Sequence, residues 1–252
     1  MVSRTSRRLA VPMIFACAGG LAFADAARAQ DGGLSVTPAV LEHSARKGNV
    51  GSLTLHNTTK ETLRVRVNVR PWRQQLNGRV VTDLRATYNR YVRATRRAFI
   101  LRPGVRVPLR FRMVRMPKGR SLYGNVDILG KPTRKKGRRG IIPQYRLVSA
   151  LRLHPRKKRF KLRTGRAQIR SRAFILPVRN LGNSIEPVSG TYKLSGPGSR
   201  SGRIKGVSVV PGRLVGLNLG STRGMRKGVY RVEAVLTQGG KRFNVRSSVR
   251  VR

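Results

Sequence analysis

One pattern occurs twice in this chain, and it constrains the fold more tightly than any single residue does. Leu101-Arg102-Pro103-Gly104 is followed by alternating Val105, Val107, Leu109 and Phe111, then by Gly119 and Tyr123-Gly124-Asn125-Val126-Asp127-Ile128-Leu129. Val210-Pro211-Gly212 is followed by alternating Val215, Leu217 and Leu219, then by Gly228 and Tyr230-Arg231-Val232-Glu233-Ala234-Val235-Leu236. The Pro-Gly pairs lie 108 residues apart (211 − 103) and the tyrosines 107 apart (230 − 123). Upstream, Leu53-Thr54-Leu55-His56-Asn57-Thr58-Thr59 has a partner in Leu176-Pro177-Val178-Arg179-Asn180-Leu181-Gly182-Asn183. A period near a hundred residues is the size of one β-sandwich and far too long for a solenoid repeat. The expectation is two sandwiches in tandem.

The hydrophobic pattern supports an all-β chain. Leu63-Arg64-Val65-Arg66-Val67-Asn68-Val69-Arg70 alternates without a break, which puts aliphatic side chains on one face and polar ones on the other. The same period recurs from Val105 to Phe111, Tyr145 to Leu153 and Val245 to Val251, and no helical stripe of useful length appears. Strands are expected near 34–41, 50–56, 62–72, 97–101, 105–114, 121–130 and 142–154, the immunoglobulin-like number of seven. A second set is expected near 159–163, 166–170, 172–179, 190–195, 203–210, 213–219, 228–236 and 242–251. Residues 73–96, with Asn77-Gly78 as a turn, form the longest irregular connection, and 196–202 reads as a flexible tip. Tyr123 and Tyr230 read either as tyrosine corners or as plain core aromatics.

The first 29 residues read as a secretory signal: basic Arg4, Arg7 and Arg8, a short apolar stretch from Leu9 to Ala24, and Ala27-Arg28-Ala29 at the cleavage site. The domains are therefore expected at 30–154 and 155–252, with Pro155-Arg156-Lys157-Lys158-Arg159 as the link. Export places the chain in a periplasm or against a cell wall. No later stretch is apolar enough to span a bilayer. Cleavage removes Cys17, the only cysteine, so hydrophobic packing alone must hold both cores.

The charge is extreme. The chain is +48, and removing a signal of net +3 (four arginines against Asp25) leaves 48 − 3 = +45. Such a field favours polyanions, and in an exported protein these are wall polymers, acidic lipid head groups and acidic proteins before nucleic acid. The basic runs Arg134, Lys135, Lys136, Arg138 and Arg139, and Arg156, Lys157, Lys158 and Arg159, are the polyanion-binding candidates. They lack the interleaved aromatics of a base-stacking platform, so no specific nucleic acid is implied.

Chemistry is scarce. His43, His56 and His154 have no metal-ligand spacing, and seven acids spread over the mature chain offer no carboxylate pair. No Gly-x-Ser-x-Gly elbow or phosphate-cradling glycine loop occurs. The expectation is a non-enzyme with no metal and no cofactor.

Leu34-Ser35-Val36-Thr37-Pro38-Ala39-Val40-Leu41, Ser52-Leu53-Thr54-Leu55-His56-Asn57-Thr58, Phe99-Ile100-Leu101-Arg102-Pro103-Gly104 and Met116-Pro117-Lys118-Gly119-Arg120-Ser121-Leu122-Tyr123 follow one another in a telling order. That order resembles the N-terminal domain of the PapD-like periplasmic chaperones of pilus assembly. The resemblance implies that the last strand of the domain lends apolar side chains and backbone groups to an incomplete partner subunit. Tyr145, Leu147, Leu151 and Leu153 are then the donor row. The family's carboxylate-holding arginine falls here at Val40 and its lysine near Val148, so Arg146 and Arg152 are the nearest candidate anchors. Asn57-Thr58-Thr59-Lys60-Glu61, with Val65, Val67 and Val69, also resembles two-domain surface proteins that bind peptidoglycan. Two functions stay open: a chaperone-like binder of envelope or pilus subunits, and a structural wall protein held to anionic polymer.

Overall fold

The computed structural model describes residues 33–134 and 142–252. The signal-peptide expectation and the candidates Lys135, Lys136, Arg138 and Arg139 lie outside the described residues. Among those described, every regular element is a strand.

Two sheets form the first sandwich. One runs β1 (Leu34–Thr37), β3 (Gly48–Asn57), β8 (Arg106–Met113), β6 (Val92–Ala94). The other, six-stranded, runs β2 (Val40–Ser44), β10 (Tyr145–His154), β9 (Leu122–Pro132), β4 (Leu63–Gln74), β5 (Val80–Thr82), with β7 (Ala98–Leu101) also paired to β4. The second sandwich sets β11 (Leu162–Thr164), β13 (Ala173–Asn180), β12 (Gln168–Arg170) and β16 (Leu214–Ser221) against the sheet β15 (Ser199–Ser208), β14 (Pro187–Ser195), β17 (Gly228–Gln238), β18 (Lys241–Val251).

Alternation in the sequence becomes alternation in burial. Along β8, Val107, Leu109, Phe111 and Met113 are buried and the residues between them are exposed. Val65, Val67 and Val69 of β4 meet them across the first core, together with Ile128, Leu151 and Leu153. The second core gathers Phe174, Leu176, Leu217, Leu219, Tyr230 and Leu236. No residue belongs to both clusters, so each sandwich carries its own apolar burial, roughly 1.5–3 kcal/mol per large side chain.

The repeat now has a physical cause. Asn57, at the end of β3, accepts at its backbone oxygen from the N–H of Gly104 (2.8 Å) and donates its own N–H to Val105 O (3.2 Å). Asn180, at the end of β13, accepts from Gly212 N–H (2.7 Å) and donates to Arg213 O (3.1 Å). Gly104 and Gly212 have φ of 71° and 79°, a region where a side chain is strained. Each Pro-Gly turn is thus clamped to the strand end that precedes it in the repeat.

Three expectations need correction. Residues 34–41 are not one strand: the chain leaves one sheet after Thr37 and enters the other at Val40, because Pro38 has no N–H for a ladder. Residues 73–96 are not wholly irregular. β4 runs on to Gln74 and turns back into β5, with Gly78 N–H bonded to Gln75 O at the expected turn. Residues 196–202 are not a loose tip either: Gly196, Pro197 and Gly198 make a tight turn between β14 and β15.

The two tyrosines divide. Tyr230, fully buried, donates its hydroxyl to Arg226 O (2.9 Å) and pins the loop before β17, as a tyrosine corner does. Tyr123 instead donates to Asn183 O of the second sandwich (3.3 Å) and stacks on Trp72, with ring centroids 6.3 Å apart. Around them Val210 and Ile185 close a small apolar junction. Gln74 clasps it: its Nε2 donates to Ser208 O (2.7 Å) and its Oε1 accepts from Val210 N–H (2.8 Å).

Burial at this junction pushes the Tyr123 hydroxyl up to about 12 from 10.0. The folded chain then keeps a proton that the unfolded chain releases. The stabilisation is complete below pH 10 and is lost as pH rises from 10 towards 12. Urea unfolding across that window should show stability falling with pH, and Tyr123→Phe should flatten the decline.

Candidate functional site

β10 is built with two different edges. On one side it pairs with β9 from Tyr145 to Leu153. On the other, β2 runs parallel to it and covers only Ala150 to His154. Ala150 donates its N–H to Ala39 O (2.9 Å), which fixes the side to which even-numbered residues point their backbone groups. By alternation the N–H and C=O of Arg146 and Val148 point the same way, beyond the reach of β2. Among the described residues they meet no backbone partner, so β10 presents a short free edge at 145–148.

The four donor-row residues are not equivalent. Leu151 and Leu153 are fully buried in the sandwich's own core, and this corrects the expectation that they face a partner. Their face turns inward because it is paired with Gly124 and Leu122 of β9, beneath the facing sheet. Tyr145 and Leu147 share that face but are only half-buried, at the open end of the same core. The opposite face carries Val148, 47% exposed, and Val40, 38% exposed, the two positions where the resemblance implied cations.

The candidate anchors are already engaged. Arg146 Nε donates to Asp127 Oδ1 (2.7 Å), while Arg70 Nε donates to the other oxygen (2.6 Å), so one buried carboxylate ties β10, β9 and β4. Arg152 lies 3.8 Å from Glu42, which also sits 2.5 Å from His154 Nε2. Asp127 was legible only as an acid inside a strand. Its two arginine partners sit on other strands, 57 and 19 residues away.

The polyanion candidates scatter. Lys158 pairs with Glu186 (2.5 Å), and Asn183 accepts from Arg159 N–H (2.7 Å), which pins the basic link to the second sandwich. Arg156 and Lys157 join Arg46, Lys47 and Arg120 around a hollow of about 550 Å³. Arg134 lines a separate hollow with Lys60 on the far side of the first sandwich.

No protein-family model and no curated protein matches this sequence. Solved structures do. A chain from a chaperone–tip adhesin complex, described as vital for synergistic activation of CFA/I fimbriae biogenesis, aligns over 85% of this chain and 98% of its own. Its TM-score is 0.53 and its identity 11%. The class 5 fimbriae chaperone CfaA aligns over 85% and 98% with a TM-score of 0.49 and 11% identity. The Escherichia coli chaperone DraB aligns over 88% and 98% with a TM-score of 0.46 and 14% identity. The all-β, two-sandwich architecture expected from the repeat is the one observed, and it is similar in fold to the chain from the chaperone–tip adhesin complex.

Proposed function

We propose that this protein is a non-enzymatic, exported chaperone-like factor that holds pilus- or envelope-type subunits by pairing a subunit strand with the free edge of β10. One observation carries the reading: β2 stops short, leaving the outward backbone groups of Arg146 and Val148 beside the half-buried Tyr145 and Leu147. An unpaired strand edge is a template for another strand, and an open core end next to it offers apolar contact. The likeness in fold to a chain from a chaperone–adhesin complex supports the same reading. Export to the periplasm, and separate folding of 30–154 and 155–252, belong to this proposal.

Val148→Pro is the direct test. It removes an N–H that makes no backbone bond among the described residues, so the β9–β10 ladder stays intact and the thermal midpoint holds within a few degrees. A labelled synthetic peptide alternating Val and Thr should bind the parent protein, protect the Arg146 and Val148 amides from exchange, and lose affinity about tenfold or more on Val148→Pro. Equal binding by the variant defeats the strand-pairing reading. Capture that ignores Val148→Pro but vanishes in high salt favours the wall-polymer reading, whose structural support is the five-cation hollow around Arg156 and Lys157.

A further inference from the structure

The outer face of the six-stranded sheet divides into two halves. Trp72, Tyr123 and Ala150 lie under the second sandwich at the junction. Beyond Asp127 no described residue of the second sandwich packs on the face, where Arg64, Arg66 and Ile100 are exposed, and its registers put like charges side by side. Arg64 is directly opposite Lys131, and Arg66 is opposite Leu129, which in turn is opposite Arg146. Like charges facing each other across neighbouring strands are destabilising. Farther along the same face Asp127 relieves Arg70 and Arg146, but no described carboxylate is ion-paired with Arg64, Arg66 or Lys131.

The same half-face is not uniformly polar. Arg64, Arg66, Lys131, Leu129, Pro132 and Thr133 line a hollow of about 290 Å³. Ile100, paired beside Arg64, is 52% exposed, and Val148 is 47% exposed at the β10 edge. A wholly hydrophilic polymer would leave these apolar groups wet. A ligand carrying carboxylates and apolar side chains together would satisfy both, and alternate residues of an extended polypeptide lie about 7 Å apart on one face.

We propose that the uncovered half-face is a docking surface for an acidic, partly apolar polypeptide segment of the captured partner. Its carboxylates sit on Arg64, Arg66 and Lys131, and its apolar side chains sit on Leu129 and Ile100. This rests on the strand-capture reading and adds to it: the β10 edge supplies sequence-independent backbone pairing, and the face selects which segment is held. Charge complementarity names the occupant, since the surface offers three cations that no described carboxylate ion-pairs, around an apolar floor.

The test uses the mature protein, a labelled peptide alternating Glu and Val, the matching Lys and Val peptide, poly-glutamate and polyphosphate. The Glu/Val peptide should bind at least about tenfold more tightly than the Lys/Val peptide, and more tightly per charge than either polyanion. The double variant Arg64→Glu with Arg66→Glu, both on the exposed face, should lose that preference about tenfold or more without a fall in thermal midpoint, since Glu at 64 replaces a like-charge pair with Lys131 by an opposite one. Arg64→Gln with Arg66→Gln serves as the milder pair, expected to lose part of the preference.

The outcomes separate the two readings. If the charge variants bind like the parent while Val148→Pro fails, the face is inert, and strand capture stands without it. If the charge variants fail while Val148→Pro binds normally, the face holds its ligand and the strand-capture reading falls. Equal binding of polyphosphate and the Glu/Val peptide shows a general polyanion surface and overturns the inference.

Discussion

Leu151→Asp should abolish cooperative folding of the first sandwich, whereas Val148→Asp, three residues earlier on the same strand, should leave the thermal midpoint nearly unchanged. Leu151 is fully buried, paired with Gly124 on one side and Leu41 on the other, with core aliphatics beneath it. A carboxylate there has no cation and no donor within the core, so it either stays charged at prohibitive desolvation cost or binds a proton and still leaves a cavity-sized misfit. The expected loss exceeds about 5 kcal/mol, comparable with the whole stability of a domain. Val148 points the other way and is half in solvent, beside Arg146 on the same face. Circular dichroism melts of the two variants, side by side, decide the matter. A cooperative Leu151→Asp protein would mean that the inner face of β10 opens to solvent, as the donor-row expectation required.

That contrast shows what the sequence carried and what it withheld. Alternation along 145–153 revealed two faces, both partly apolar, but alternation is silent about which face a neighbouring sheet covers. The answer depends on β9 and on β2, whose parallel pairing with β10 joins residues about 110 apart in the chain. The repeat was legible because its cause is local in kind: a strand-end Asn and a Pro-Gly turn that needs positive φ must both be spelled out in each copy. The junction was not legible, because Gln74 finds Ser208 and Val210 across 134 and 136 residues. A signal for it did exist. Trp72 continues the outward register of Arg64, Arg66, Asn68 and Arg70, and a tryptophan on a solvent face has something to cover. The basic half-face was hidden in a different way. Arg64 and Arg66 look like ordinary solvated strand residues until register brings Lys131 opposite Arg64, while the acid on the neighbouring strand, Asp127, is already held by Arg70 and Arg146.

Asn180→Ala should destabilise the second sandwich by about 3–4 kcal/mol, and Asn57→Ala should do the same to the first. Asn180 is fully buried. Its Nδ2 donates to Ser184 O and Val209 O, each at 2.7 Å, and its Oδ1 accepts from Gly182 N–H at 2.8 Å. Alanine removes all three bonds and strands the Ser184 and Val209 carbonyls where water has little room, while the Gly182 N–H keeps its bond to Lys161 O (3.1 Å); stranding those carbonyls costs more than their bonds contribute in the intact protein. Asn57 repeats the device: Nδ2 donates to Glu61 O (2.8 Å) and Leu101 O (3.2 Å), and Oδ1 accepts from Thr59 N–H (3.1 Å). The pair also tests whether the two cores unfold independently. Among the described residues they share no buried residue, and a small apolar patch and a few hydrogen bonds join them. Calorimetry of Asn180→Ala should therefore split the parent trace, with the second sandwich melting early and the first near its original midpoint, and Asn57→Ala should split it in the opposite order. Two single, equally lowered transitions would show that the Gln74 and Trp72 junction couples the sandwiches into one folding unit.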